Sequence, residues 1–305
     1  MATPDPAVIA AVDLGSNTIK MTIGRCLPDG SLEEIASYSD TVRLGRDVDR
    51  TGHLADDRMD AALECLTRFS TAARNHGASR IIGVATEAVR AAANGKTFID
   101  RVIAATGIEM EIIHGDREAS LTFSGVAADH DLAGTLVIAD IGGASTEVIV
   151  AVDGAITAAA SVPVGSGRLS DRHIAADPPT HEELEQARHA ARLAVGGHPQ
   201  LHPLPSGDAI RLVLLGGTGE YLVALLPDEA NLTPTSVDDT LEVLTRIPSD
   251  VLAERLDIQA LRARVLPAGV AVAAALLDLI QPGACDVGRS GIRTGLLREA
   301  CVSAW

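Results

Sequence analysis

The sequence predicts an α/β protein made of two similar domains, which we place at residues 1–128 and 129–305. One observation is a polar, glycine-containing turn between apolar runs at 13–18, which recurs at 140–145. A second is that strand-type segments and then alternating strand and helix patterns follow each copy. The length of 305 residues is enough for two domains with cores of their own. A repeat this far apart indicates a duplicated domain rather than a repeat array.

The first turn follows the apolar run 7–12, which has the length and flanks of a buried strand. Gly15 lets the backbone turn and approach a ligand because it has no Cβ, and successive N–H groups in such a turn bind phosphate oxygens. Asp13 adds a hard oxygen ligand that suits Mg²⁺. Taken alone, this pattern is also typical of ordinary turn chemistry. The phosphate-binding candidates of this turn are Gly15, Ser16, Asn17 and Thr18.

The second turn lies within residues 137–150 and repeats the first one. Asp140 falls on Asp13, and Ser145 falls on Thr18. Two such turns on either side of a cleft would hold a phosphate chain and its metal between them, so the repeat favours phosphate binding over ordinary turn chemistry. The phosphate-binding candidates of this turn are Gly142, Gly143, Ala144 and Ser145.

The segments between and after the turns predict the remaining elements in order. A further strand at 31–42 completes a small antiparallel meander, and 56–76 has apolar residues on one helical face and ends at Gly77. The other predicted strands lie at 80–85, 109–113, 155–164 and 210–215, and the other helices at 95–106, 118–126, 237–246, 249–256 and 259–280.

The composition bounds the class of protein. Hydrophobic residues make up 47% of the chain but aromatic ones only 2%, so Val, Leu, Ile and Ala must build the interior. No apolar run reaches the roughly 20 residues that span a bilayer, and the run at 268–280 reads as a buried helix. The N-terminus lacks the pattern of a signal peptide. We therefore expect no membrane partner.

The four cysteines predict a cellular compartment. Cys26, Cys65, Cys285 and Cys301 have no CxxC or other metal-type spacing. Scattered thiols of this kind fit a reducing cytoplasm better than a disulfide framework. We therefore expect a cytoplasmic protein.

The net charge of −16 argues against broad nucleic-acid binding. It would also repel a polyanionic substrate at long range, so a phosphate substrate needs local basic residues and a cation. Arg43 opens a loop with three arginines, which is either a solvated loop or a lip of the phosphate cleft. Arg90 follows a strand end, where open α/β sheets place ligand groups, although a solvated helix arginine gives the same pattern.

Two more strand ends carry polar residues. Glu118 opens a helix after the strand at 109–113, and it is either a functional carboxylate or a cap that interacts with the helix dipole. The glycine-rich turn at 216–219 also opens a helix, whose N-terminus could receive an anion or nucleotide.

These motifs together resemble the acetate kinase/sugar kinase/Hsp70/actin fold, and more narrowly the Ppx/GppA family of exopolyphosphatases and guanosine pentaphosphate phosphohydrolases. The resemblance covers nearly the whole chain, with the motifs in family order. The matching segments are Asp13-Leu14-Gly15-Ser16-Asn17-Thr18, Val42-Arg43-Leu44-Gly45, Ala85-Thr86 with Arg90, Gly115 with Glu118-Ala119, Asp140 to Glu147, and Gly291-Ile292-Arg293-Thr294-Gly295. The resemblance implies two duplicated actin-like, ribonuclease H-like domains with a central cleft.

The resemblance also implies a role for each matching residue. Glu118 matches the base that activates water, and Asp140 and Glu147 match acidic residues that bind Mg²⁺ and orient that water. The two turns match phosphate-binding loops, and Arg90 matches a phosphate-binding arginine. We add Arg43 and Arg293 as phosphate-binding candidates, and Asp13 as a metal candidate.

The implied activity is hydrolysis of the terminal phosphate of inorganic polyphosphate, with Mg²⁺ or Mn²⁺ and a monovalent cation as candidate cofactors and a homodimer as the candidate assembly. The alternative substrate is guanosine pentaphosphate. An ATP-dependent kinase and a non-catalytic sensor remain open. Ser120, Thr294 and the segment Gly165-Ser166-Gly167-Arg168 depart from the family pattern, which bears on the substrate more than on the reaction class.

Overall fold

A computed structural model of the chain describes residues 7–27, 29–226 and 231–302. The chain divides into two compact units, one formed by Met1–Ala128 with Ser290–Trp305 and the other by Asp129–Arg289. The extreme ends of the two predicted domains, residues 1–6 and 303–305, lie outside the described residues.

The first unit is built on a five-stranded mixed sheet in the order β3-β2-β1-β4-β5. Strands β1, β2 and β3 form an antiparallel meander, and β4 and β5 run parallel to β1. The strands are β1 Val8–Leu14, β2 Thr18–Cys26, β3 Leu32–Thr41, β4 Arg80–Ala85 and β5 Glu109–Ile112. The helices are α1 Val48–Thr51, α2 Asp56–Asn75, α3 Glu87–Ala91, α4 Gly95–Thr106, α5 Gly115–Val126 and, from the end of the chain, α12 Ile292–Val302.

Alternating residues of β1 feed two separate cores in this unit. Ala10 and Val12 pack with residues of α2 and α4, whereas Ile9 and Ala11 pack with residues of α5 and α12. Because successive strand side chains point to opposite faces, α2 and α4 cover one face of the sheet and α5 and α12 cover the other.

The second unit repeats this plan with a sheet in the order β10-β9-β6-β7-β8. Strands β6, β7 and β8 form the meander, and β9 and β10 run parallel to β6. The strands are β6 Thr135–Ile141, β7 Thr146–Val152, β8 Ala155–Val162, β9 Ile210–Leu215 and β10 Ala284–Val287. The helices are α6 Ser166–His173, α7 His181–Gly196, α8 Gly216–Leu225, α9 Pro234–Leu244, α10 Ser249–Leu256 and α11 Ala260–Ile280, with a 3₁₀ turn at Pro199–Leu201. The matching strand orders confirm the predicted α/β class and the duplication.

Helix α11 forms the centre of the second core. By length and composition it is apolar enough to cross a membrane, but 83% of its apolar window is buried inside the structure. Its residues from Val265 to Leu277 are buried without a break and pack with α7, α9 and the sheet. The interpretation of 268–280 as a buried helix is confirmed.

The last helix belongs to a different unit from the one that the predicted domain boundary at 128/129 gives it. Helix α12 packs on α5 so closely that a Cβ on Gly125 would lie 2.2 Å from the carbonyl oxygen of Gly291, and a Cβ on Gly295 would lie 2.0 Å from that of Leu121. Residues 290–305 therefore group with the first unit, and not with the second as the predicted range 129–305 has it. Contacts between elements distant in sequence leave no local pattern from which this return could be predicted.

A disulfide between Cys26 of β2 and Cys301 of α12 joins the same two parts of the chain, with a sequence separation of 275. Cys65 and Cys285 are free thiols, and burial raises the pKa of each to about 12. The expectation that all four cysteines are unpaired is therefore wrong for Cys26 and Cys301. The cytoplasmic location that rested on it stays a prediction.

Candidate active site

The first turn connects β1 to β2 and is held tightly by its own backbone. A Cβ on Gly15 would lie 2.7 Å from the carbonyl oxygen of Thr18, so this position accommodates glycine alone without a shift. The hydroxyl of Ser16 accepts the N–H of Ala88 at 3.1 Å, which attaches the turn to the start of α3. Ser16, Asn17 and Thr18 are all buried.

Asn17 has a buried side-chain donor in this turn. Its backbone carbonyl accepts the N–H groups of Val42 and Arg43 at 3.0 and 2.8 Å. Its side-chain Nδ2 is buried and finds no hydrogen-bond partner among the residues that the structure describes, and the residue is 3% exposed. A buried donor without a partner is costly, and a phosphate oxygen or a water at this position would satisfy it.

The loop after β3 lies against this turn. Arg43 has a left-handed φ of 55°, and Gly45 donates its N–H to the carbonyl of Ser16 at 2.7 Å. A Cβ on Gly45 would lie 3.0 Å from the Cβ atoms of both Ser16 and Ala88. The backbone of Arg43 is therefore placed beside the turn, as the prediction of a phosphate-site lip requires.

Arg90 and Glu118 come together at the ends of neighbouring strands. Glu118 lies in the first turns of α5 and is only 6% exposed. Arg90 Nη1 lies 3.4 Å from Glu118 Oε2 and donates to the carbonyl of Ile113 at 2.6 Å, while Nη2 donates to Glu87 at 2.5 Å. The first unit thus holds a buried carboxylate beside a partly buried guanidinium. Arg90 is therefore not a solvated surface residue.

The second turn connects β6 to β7, and the first residues of α6 hydrogen-bond to it. The N–H of Gly142 donates to the carbonyl of Ser145 at 3.0 Å. The N–H groups of Gly167 and Arg168 both donate to the carbonyl of Gly143, at 2.8 and 2.9 Å. The segment 165–168 departs from the family pattern in sequence. Its N–H groups nevertheless bind the backbone carbonyls of this turn and so stabilise the conformation of the turn.

A pair of carboxylates stands at the base of the second turn. Asp140 and Glu147 are register partners across β6 and β7, so their side chains are on the same face of the sheet. Glu147 is 4% exposed, and its Oε1 accepts the hydroxyls of Ser145 and Ser161, both at 2.7 Å. Of these residues, sequence reasoning missed Ser161, because a lone serine in a strand has no distinctive pattern.

The third glycine-rich turn lies directly beside Asp140. Gly216 has a φ of 82°, and a Cβ there would lie 2.9 Å from Asp140 Oδ1. Sequence reasoning also missed Arg262, which packs on this turn with Nη2 2.1 Å from the position of a Cβ on Gly217. Burial lowers the pKa of Arg262, and electrostatic interactions with Tyr221, Glu220 and, least, Asp140 counteract that shift. Arg262 therefore packs on the third turn within electrostatic range of Asp140.

The structure does not bring Arg293 to the first turn. Its Nη1 donates to the hydroxyls of Thr22 at 2.6 Å and Ser37 at 3.1 Å, in the middle of β2 and β3. Thr22 is four residues beyond Thr18, which is about 13 Å along a strand. Arg293 therefore attaches the start of α12 to the sheet.

The donor set of the second unit fits a hard divalent cation. Asp140 and Glu147 offer carboxylate oxygens, the ligands that Mg²⁺ prefers, and Mg²⁺ usually keeps several waters besides one or two carboxylates. Among the described residues, no group of three or more His, Cys, Asp or Glu side chains forms a cluster that could hold a metal. A protein-bound cation here would accordingly need waters or substrate oxygens to complete its coordination.

The chain is similar in sequence to proteins of one phosphatase family. The Ppx/GppA phosphatase family matches residues 27–303. Exopolyphosphatase 2 of Mycobacterium tuberculosis is 32% identical over 255 residues, which cover 81% of this chain and 77% of that protein. A guanosine-5'-triphosphate,3'-diphosphate pyrophosphatase of Vibrio atlanticus is 27% identical over 310 residues, or 97% of this chain and 60% of that protein.

The fold comparison gives the same family. The crystal structure of the Aquifex aeolicus Ppx/GppA family member superimposes with a TM-score of 0.76 at 26% identity, and 98% of each chain is covered. The family match extends over most of the chain; it begins after the first turn and its two strands and includes Glu118, the second turn and the acidic pair. This chain belongs to the Ppx/GppA phosphatase family.

Proposed function

We propose that this phosphatase is an exopolyphosphatase, which hydrolyses the terminal phosphate from inorganic polyphosphate with the help of Mg²⁺ or Mn²⁺. The observation that carries the proposal is the buried carboxylate of Glu118, 3.4 Å from the guanidinium of Arg90. The same unit holds the buried Nδ2 of Asn17, which has no hydrogen-bond partner in the described part of the chain. A base, a cation and an unsatisfied donor are the groups that phosphoryl transfer to water needs.

In the proposed reaction Glu118 accepts a proton from a water molecule while the oxygen of that water attacks the terminal phosphorus. The new P–O bond forms while the bridging P–O bond breaks, and the electron pair of that bond leaves with the shortened chain. The N–H groups of the first turn, Asn17 and Arg90 bind the equatorial oxygens of the phosphate, where negative charge concentrates. These residues position and neutralise the substrate, and Glu118 alone moves a proton.

The second unit contributes carboxylates and a further turn. Asp140 and Glu147 would hold the divalent cation, which neutralises phosphate charge when bound. The N–H groups of residues 143–145 remain candidates for phosphate oxygens, because the N–H groups at the start of helix α6 bond to the carbonyl side of the loop; the N–H of Gly142 already donates to the carbonyl of Ser145. A polyanion then meets local positive charge despite the net charge of −16.

Guanosine pentaphosphate is the second candidate substrate, since a relative named for its hydrolysis matches 97% of this chain. The exopolyphosphatase relative is more similar, at 32% identity, and this chain covers more of its length, 77% against 60%. That difference is the reason for ranking polyphosphate first. Both substrates end in the same phosphoric anhydride, so the reacting groups serve either one.

The test is phosphate release from long polyphosphate, short polyphosphate and guanosine pentaphosphate, each with Mg²⁺ and with Mn²⁺. The wild type is compared with Glu118→Gln, for which we expect a loss of about 10²- to 10⁴-fold in kcat. Glu109→Gln is the matched control, because Glu109 is an exposed carboxylate of the same unit that pairs with Arg80. It should keep the wild-type rate.

Each outcome assigns the function differently. Higher kcat/KM for polyphosphate supports the proposal, and higher kcat/KM for the nucleotide makes the chain a pentaphosphate phosphohydrolase. Turnover of ATP that depends on a phosphoryl acceptor would make the chain a kinase. Tight binding of these phosphate compounds without turnover would make it a sensor. Replacing Na⁺ by K⁺ tests the proposed monovalent cation, and sedimentation tests the proposed homodimer.

A further inference from the structure

We propose that Ser161 is a positioning residue for the acidic pair, which orients the carboxylate of Glu147 so that a divalent cation or its water can coordinate only Oε2. This inference rests on the proposed function, since it concerns the cation that the phosphatase would use. It adds a residue that lies outside both turns and that no motif identifies.

The contacts of Glu147 carry the inference. Its Oε1 accepts two hydroxyl hydrogen bonds, from Ser145 Oγ and from Ser161 Oγ, both at 2.7 Å. A carboxylate oxygen has two lone pairs in its plane, so both lone pairs of Oε1 are used by protein donors. Any metal or water ligand must therefore approach this carboxylate through its other oxygen.

The two serines differ in how they are fixed. Ser145 belongs to the second turn, in the loop that connects β6 to β7. Ser161 is the register partner of Glu147 across β7 and β8, so the ladder of two strands sets the position of its hydroxyl. Because both ends of this bond lie on paired strands, the bond does not depend on the conformation of the turn, as a residue that orients a carboxylate requires.

The strength of these bonds is sufficient for that role. A hydroxyl that donates to an ionised carboxylate forms a charge-assisted bond, which is stronger than a bond between neutral groups, and both distances of 2.7 Å are normal for a well-formed bond. Partners that orient a metal-binding side chain commonly change metal affinity by about 10- to 100-fold when they are removed. Because Glu147 is 4% exposed, bulk water cannot readily replace a lost hydroxyl.

The test uses Ser161→Ala, Ser161→Thr and a control, Thr157→Val. Thr157 lies on the same strand β8, but its hydroxyl donates to the main-chain carbonyl of Val150 and contacts no carboxylate of the pair. The readout is binding of Mn²⁺ alone, without substrate, measured by electron paramagnetic resonance. Phosphate release across a Mg²⁺ titration is the second measurement.

We expect Ser161→Ala to weaken Mn²⁺ binding about tenfold and to shift the Mg²⁺ dependence of turnover equally, with the polyphosphate KM unchanged at saturating Mg²⁺. Ser161→Thr keeps the hydroxyl and should bind Mn²⁺ like the wild type, as should Thr157→Val. If Ser161→Ala does not fold, Ser161→Cys, whose thiol is a weak donor, takes its place with the same expected loss.

Wild-type Mn²⁺ affinity in the serine-to-alanine or serine-to-cysteine variant would overturn the proposal, and so would a wild type that binds no Mn²⁺. The failure of the proposed function is a separate result, because the binding measurement contains no substrate. If the wild type releases no phosphate while Ser161→Ala still weakens Mn²⁺ binding, the substrate assignment falls and the role of Ser161 stands.

Discussion

The two turns occupy the same place in two duplicated sheets, yet their surroundings are chemically different. At one register position, Asp13 faces Lys20 across β1 and β2, whereas Asp140 faces Glu147 across β6 and β7. A carboxylate opposite an ammonium neutralises part of its own charge, and two opposed carboxylates repel each other unless a cation lies between or near them. We therefore predict that binding of the proposed divalent cation depends more on Asp140 than on Asp13.

The turns also differ in what remains for a ligand. In the first, the amide of Asn17 is buried without a partner among the described residues. In the second, two hydroxyls converge on one carboxylate oxygen. The first turn therefore has a buried donor that a ligand could satisfy, whereas the second has a carboxylate with one oxygen already bonded to two hydroxyls.

The largest expected effect separates the two aspartates. Asp140→Asn should lower kcat by about 10²- to 10³-fold, because one ligand of the charge-neutralising cation is lost. Asp13→Asn should lower it by less than about tenfold, since Lys20 already faces that carboxylate. Phosphate release under saturating Mg²⁺ measures both. Equal losses would contradict the division of roles between the units.

A second prediction concerns the first turn alone. Asn17→Ala should raise the KM for the phosphate substrate about tenfold, because a hydrogen bond to a charged oxygen is lost, and should leave the melting temperature unchanged or higher. Asn94→Ala is the matched control, since Asn94 exchanges two hydrogen bonds with the backbone of Leu54. It should cost about 1–3 kcal/mol of stability and leave KM unchanged. A destabilised Asn17→Ala with normal KM would remove the ligand role.

The third prediction compares the stability of the units. Double replacement of Cys26 and Cys301 by serine should lower the free energy of unfolding of the first unit by about 2–4 kcal/mol, because the bridge closes a long loop. Cys285→Ser in the second unit changes no disulfide and serves as the control. The measurement is thermal unfolding with and without reductant. An unchanged transition in the double variant and under reduction would contradict the bridge.

The smallest expected effect lies in the second unit, at the start of α7. Thr180 and Glu183 form a capping box, and although burial opposes it, the N–H groups of Thr180, Ala176 and Ala175 hold the pKa of Glu183 down at about 2. Since this lies below the usual 4.5, the contribution to stability is full above that pH and is lost as the pH falls toward 2. Glu183→Gln should cost about 1 kcal/mol at pH 7.

The pH series checks this last effect. As the pH falls from 5 toward 2 the wild type, but not Glu183→Gln, should progressively lose the extra stability, as measured by urea unfolding at each pH. Gln186→Ala on the same helix, whose amide reaches only Glu182, is the control. Equal pH dependence in wild type and Glu183→Gln would show that the capping box contributes nothing through its charge.

The sequence was sufficient to predict the elements whose signals are local. The turns at 13–18 and 140–145, the strand at 80–85 and the helix at 249–256 lie where the apolar runs and glycines indicate. Glu118 and Arg90 could be predicted as a site because both follow strand ends, and neighbouring parallel strands end at the same edge. Their separation of 3.4 Å follows from the sheet order and not from their spacing in sequence.

What the sequence did not predict depends on contacts between distant segments. The return of α12 to the first unit and its bridge to β2 join residues 275 positions apart. Ser161 and Arg262 have ordinary local surroundings, and only the register of β8 and the packing of α11 bring them to the acidic pair. Arg293 matches a motif, but its guanidinium binds the middle of the sheet because α12 packs there.

The most direct test of the central claim is hydrolysis of polyphosphate in ¹⁸O-labelled water by the wild type and by Glu118→Gln. If Glu118 activates a water for attack on the terminal phosphorus, the released phosphate carries one label, and the variant releases it about 10²- to 10⁴-fold more slowly while still binding substrate. Unlabelled phosphate, or a variant that keeps the wild-type rate, would contradict the account.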